Sequence, residues 1–154
     1  MKTKVKFKDI YAEVDCENNK IIFSGLRSDT ESFEQDEIIK FYLSKRHKFF
    51  SNELIEFLNL TGIDWTKENE VFHYPLNEDV VIVEGWYDII GKVLTTNTMT
   101  FYWESDSCTT NISLGGREFR HGILGELKDF ETFRLDFAVV IPKDVLSAFN
   151  KVAD

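Results

Sequence analysis

Two cysteines, two prolines and three histidines are all that the 154 residues contain of those types. Cys16 and Cys108 are far apart in the chain, which excludes the dense disulfide framework of a small secreted scaffold. His47, His73 and His121 are equally scattered, so no closely spaced Cys or His pair announces a zinc site. No stretch reaches the ~18 consecutive apolar residues that a membrane-crossing helix needs. Basic side chains are also in deficit: 18 Lys and Arg face 27 Asp and Glu, for a net charge of −9. Such a charge opposes binding to nucleic acid phosphates and to anionic lipid, and favours a basic protein partner. The opening MKTKVKFK carries no apolar run of signal length, so a reduced cytoplasmic setting is expected, with both thiols as small core fillers.

Aromatic residues are abundant. They make up 14% of the chain, including 14 Phe, and predict a core filled by bulky rings. At this length one domain over residues 1–154 is expected, burying roughly 70% of the unfolded chain's surface.

The strongest pattern lies between Asp79 and Trp103. Val81, Val83, Tyr87, Ile89 and Val93 form an apolar row of odd positions, continued by Met99, Phe101 and Trp103 after the TTN segment. Strand side chains alternate faces, so this reads as a long hairpin with one face in a core. The even positions mix Val80, Ile82, Trp86, Ile90 and Leu94 with Glu84, Asp88 and Lys92, which predicts a face only partly covered. Gly85 and Gly91 suggest bulges or close backbone approach.

Elsewhere, Val5 and Phe7 alternate with Lys4, Lys6 and Lys8, a strand with a lysine face suited to a sheet edge. The phase then shifts near Lys8 to Tyr11, and residues 10–24 read as a second hairpin turning at Glu17, Asn18 and Asn19. Residues 33–46 fit a helix launched by a Ser32 and Gln35 capping box and nearly as well a strand through Ile39, Phe41 and Leu43. Ser51 caps a helix with an apolar face of Leu54, Ile55, Phe57 and Leu58, ended by Gly62 in a left-handed conformation. Ile63 and Trp65 are expected to fold back on it, and residues 66–79, with His73 as a loop residue, to form a connection. Cys108, Ile112 and Leu114 mark a further strand, and a short one is expected around Phe119. Phe133, Leu135, Phe137, Val139 and Ile141 alternate with Thr132, Arg134, Asp136, Ala138 and Val140, and a C-terminal helix follows Pro142. Together these predict an α+β domain with a mostly antiparallel twisted sheet of about six strands and two or three helices packed on it.

Catalytic signals are weak. There is no GxSxG elbow, and the phase of Cys108 argues for a buried, inert thiol. Glu104 and Asp106 flank a turn, where solvated carboxylates are too nonspecific a signal for acid/base work. No catalytic residue, metal ligand or cofactor is therefore expected. Two binding signals remain. Acidic groups lie beside aromatics: Asp29, Glu31, Glu34, Asp36 and Glu37 in one cluster, and Glu84, Trp86, Asp88, Tyr102 and Glu104 along the central hairpin. These suit a noncatalytic domain that docks a cationic partner, such as an immunity protein neutralising a basic toxin. The alternative is a small-ligand binder or enzyme with an anion site where Arg117, Arg120 and His121 follow Gly115 and Gly116. A homo-oligomer joined through the Lys4, Lys6, Lys8 edge is a third expectation.

Overall fold

Apolar alternation becomes a sheet with one dry face. The computed structural model describes residues 2–26, 36–95, 99–115 and 127–153. Among the described residues, seven antiparallel strands and four helices make an α+β fold: β1 (Thr3–Phe7), β2 (Ile10–Val14), α1 (Cys16–Gly25), α2 (Glu37–Phe49), α3 (Asn52–Thr61), β3 (Glu70–Pro75), β4 (Val80–Val93), β5 (Met99–Ser105), β6 (Cys108–Gly115), β7 (Thr132–Pro142) and α4 (Lys143–Ala153). The strand order is β1-β2-β4-β7-β6-β5, with β3 also paired to β4.

The order corrects the expected central hairpin. β4 and β5 are not neighbours, because β7 is inserted between β4 and β6 and pairs with both. The two most regular apolar rows thus lie side by side, Val83 opposite Val139 and Ile89 opposite Phe133. β5 and β6 form the tight hairpin instead, turning on Asp106 and Ser107, both at positive φ. In the odd row of β4, Val81, Val83, Tyr87 and Ile89 are buried as expected and Val93 partly so, and Trp103 on β5 joins the same side by donating its indole N–H to the Phe49 carbonyl.

Residues 10–24 are not a hairpin. β2 pairs back on β1 around Lys8 and Asp9, which explains the phase shift, and Cys16 onward is helical. Asp15 starts that helix by accepting the Asn18 N–H, and Asn19, read as a turn residue, is fully buried. Its amide accepts from Ile90 N and donates to the carbonyls of Thr61 and Ile90, so α1 is pinned to β4 and α3 by side-chain hydrogen bonds that replace water. Cys16 consequently leaves the strand phase and gives its thiol hydrogen to Leu60 O; both thiols are free.

Residues 37–49 are helical, capped by Asp36, whose carboxylate accepts from Ile38 N and Ile39 N. The Ser32 and Gln35 capping box lies outside the described residues, as does the strand expected around Phe119. α3 has the expected Ser51 cap and ends at Gly62 with φ +88°. The 66–79 connection contains strand β3, where His73 sits. β1 is a sheet edge with Lys4 and Lys6 exposed.

Rings fill the space between helices and sheet. Tyr42 stacks parallel on Phe137 at 5.5 Å, and Phe50 meets both Phe137 and Tyr87 edge-on. Phe137 fits because its partner across the ladder is Gly85: a Cβ there would stand 2.4 Å from the Phe137 ring and 2.3 Å from Glu70 O. In the same layer, Glu68 accepts from Tyr42 and from Arg46, and Arg46 lies over the Trp65 ring. Burial and the nearby Glu68 charge push the Tyr42 hydroxyl well above its ordinary pKa, so it stays a donor.

Candidate functional site

The other face of the sheet is polar, and its register assembles residues from five strands. Residues directly opposite one another share a face, so Tyr102, Asn111, Ala138, Glu84 and Phe72 form one row from β5 to β3. Thr100, Ser113, Asp136, Trp86 and Glu70 form the next row, and Glu104, Thr109, Val140, Ile82 and Tyr74 a third. Four sequence-predicted residues, Glu84, Trp86, Tyr102 and Glu104, are thereby brought to one surface. Tyr102 is 69% exposed at one side of it, and Phe72, 37% exposed, stacks with Tyr74 at the other. Tyr74 donates to Glu84 Oε1 at 2.6 Å, which raises the phenol's pKa and fixes that carboxylate.

Asp88, the fifth member of that predicted set, is buried. Arg134 grips it with Nε at 2.8 Å and Nη2 at 3.2 Å while lying 4.3 Å over the Trp86 ring. Burial raises the Asp88 pKa and the Arg134 charge partly offsets this. The Trp86 indole N–H also favours the charged Asp88 electrostatically, yet makes no hydrogen bond of good geometry among the described residues.

Asp136, directly opposite Trp86, was not singled out from sequence. It is half-buried and has no hydrogen bond or ion pair among the described residues. Burial pushes its pKa up to about 6, the Arg134 charge lowers it, and Asp88 and Glu84 add repulsion. Ser113 stands opposite it on β6, and Glu70 lies in the same row on β3, beyond Trp86. From the ordinary value of 3.8 up to about 6, the folded protein keeps a proton that the unfolded chain releases. The stability this group contributes is therefore present at low pH and lost as pH rises through about 6. Asp136→Asn removes the neutral-pH cost, and we expect it to stabilise the protein by about 1–2 kcal/mol at pH ~7, after allowance for solvent screening, and by almost nothing at pH ~4. Urea unfolding at the two pH values measures this.

These groups surround a depression of ≈ 450 Å³, lined by Phe72, Glu84, Trp86, Asn111, Ser113 and Asp136 among others. It exists because Ala138 places a single methyl between the larger Glu84 and Asn111. Asn111 Oδ1, buried at its edge, has no hydrogen-bond partner among the described residues. Arg134 and Asp136 could have been found in sequence as charges on the outward phase of the most regular strand, but nothing local shows which strands flank them.

The remaining predicted residues lie elsewhere. Asp36 caps α2 and pairs with His73 at 2.7 Å; His73 stands opposite the buried Val83, on the helix-covered side. Burial works against the charged Asp36, but the Ile39 N–H and His73 outweigh it and lower its pKa. Glu37 accepts from Asn150 on α4. Asp29, Glu31, Glu34, Arg117, Arg120 and His121 lie outside the described residues. Burial pushes the Cys108 thiol up to about 11, which leaves it protonated at neutral pH. Among the described residues no three His, Cys, Asp or Glu side chains are grouped to hold a metal ion, and no helix is long and apolar enough to cross a membrane.

The described residues form an α+β fold with an antiparallel sheet, helices on one face and a carboxylate-rich, aromatic surface on the other. No protein-family model, curated protein or solved structure matches this chain.

Proposed function

We propose that this is a noncatalytic docking domain that takes a basic protein partner on the open face of its sheet, with the inhibitor of a cationic toxin as its most specific form. One observation carries the reading: Glu70, Glu84, Glu104 and Asp136 share that face with the accessible rings of Phe72, Tyr74 and Tyr102, while its central cation, Arg134, is bound to Asp88. Rings supply contact area, carboxylates with no cationic partner among the described residues supply attraction, and the net charge of −9 speeds capture of a positive partner. A cytoplasmic location accords with the free thiols and is part of the same proposal.

Titration with octa-lysine at increasing ionic strength tests the reading. Affinity should fall by about tenfold or more between low and physiological salt. The combined variant Glu70→Gln, Glu84→Gln, Glu104→Gln should weaken binding by a similar factor, whereas Glu17→Gln with Glu56→Gln, on α1 and α3, should leave it nearly unchanged. Binding that ignores salt, or that responds equally to both sets, contradicts the proposal.

A further inference from the structure

We infer that the depression above Ala138 is an arginine pocket, which seats one guanidinium side chain of the partner between the Glu84 and Asp136 carboxylates and beside the Phe72 and Trp86 rings. This rests on the reading of the open face as the docking face and adds which basic side chain that face selects.

The register sets the geometry. Ala138 stands directly opposite Glu84 on one side and Asn111 on the other, and Asp136 is the next residue along β7 on the same face. A group resting on the Ala138 methyl therefore has a carboxylate across one strand, a second along its own strand, and the rings of β3 and β4 as a wall. Both carboxylates have free capacity. Glu84 gives only Oε1 to Tyr74, and Asp136 has no hydrogen bond or ion pair among the described residues. A half-buried carboxylate left without a partner is costly, and an incoming cation removes the cost.

The pocket's chemistry separates arginine from lysine. A guanidinium is planar, weakly hydrated and able to fork onto carboxylates while lying against an aromatic ring; a lysine ammonium is compact and strongly hydrated. The protein already makes this arrangement on the wall of the same depression, where Arg134 forks onto Asp88 and lies over Trp86. Arg134 is thus engaged by Asp88, and the Phe72 ring, 37% exposed, offers an incoming guanidinium a comparable surface. Asp136 also explains its own position here. On the outward phase of a central strand a neutral residue would be more stable, so the carboxylate is placed where a ligand would use it.

Acetylated octa-arginine and octa-lysine are the probes, with binding measured by calorimetry at matched ionic strength. Octa-arginine should bind the protein about tenfold more tightly than octa-lysine. Asp136→Asn should reduce that ratio to near unity while changing octa-lysine affinity by less than about threefold. Ala138→Leu, which fills the pocket but leaves every charge in place, should do the same. Thermal melting checks that each variant is folded, and the two reach the same outcome by different routes. Equal affinities for the two peptides on the unaltered protein, both falling with salt, overturn the arginine pocket and leave the docking face standing. Absence of binding by either peptide at low salt overturns both. A preference for octa-arginine that survives Asp136→Asn and Ala138→Leu places the selectivity elsewhere and overturns the assignment.

Discussion

Replacing Glu68 with leucine should cost about 3–5 kcal/mol of unfolding free energy in urea denaturation, enough to leave a domain of ordinary stability barely folded. Glu68 is 5% exposed and is where the Tyr42 hydroxyl and Arg46 Nη1 both end, at 2.7 and 2.8 Å. Its loss takes the carboxylate from the Arg46 guanidinium, which is 8% exposed, has no partner for Nε among the described residues and keeps the Thr66 carbonyl at 3.1 Å, and it leaves the Tyr42 hydroxyl without its acceptor. Packing is not the source of the loss, since leucine fills similar space. The double variant Glu68→Leu with Arg46→Leu should therefore recover most of the deficit, because removing both charges removes the penalty that either one leaves behind. A double variant no better than the single would locate the effect in shape instead.

Arg134→Leu should be nearly as damaging, at about 3–5 kcal/mol, because it leaves Asp88 charged in a site that is 1% exposed. Burial already raises the pKa of Asp88 and Arg134 holds it down. Without Arg134 the carboxyl should take up a proton on folding, so the variant's deficit should shrink as pH falls from neutral towards the ordinary carboxylate range. Denaturant midpoints measured across that range give the result. A deficit independent of pH would show that Asp88 is not the group left uncompensated.

Both predictions depend on contacts between residues distant in the chain, and such contacts mark where sequence reading stops. The periodicity of Phe133 to Ile141 and of Val81 to Ile89 identified β7 and β4 and their buried sides, because alternation is a local property of a strand. The Ser51 and Gly62 caps of α3 were legible for the same reason. Strand order was not. No residue near Trp103 shows that β7 will slide between β4 and β6, and the expected β4–β5 hairpin followed from adjacency in sequence alone. α1 was missed because Lys20 to Phe23 alternates like a strand, while the interaction that selects a helix, buried Asn19 against Ile90 and Thr61, joins segments 71 and 42 residues apart.

The site divides in the same way. Glu84, Trp86, Tyr102 and Glu104 were legible as the less apolar phase of β4 and β5, and they do share a face. They share it through β7 and β6, which supply Asp136, Ala138, Asn111 and Ser113, and through β3, which supplies Phe72 and Tyr74. Asp136 looked like one more solvated charge. Its raised pKa comes from burial and from neighbouring charges that only the folded sheet provides.

Amide chemical-shift mapping during titration with octa-lysine tests the central claim most directly. The largest perturbations should fall on Glu70, Phe72, Glu84, Trp86, Tyr102, Glu104 and Asp136, with α2, α3 and α4 nearly silent, because those helices cover the opposite face. Perturbations concentrated on the helices, or spread evenly over every acidic side chain of the molecule, would contradict it.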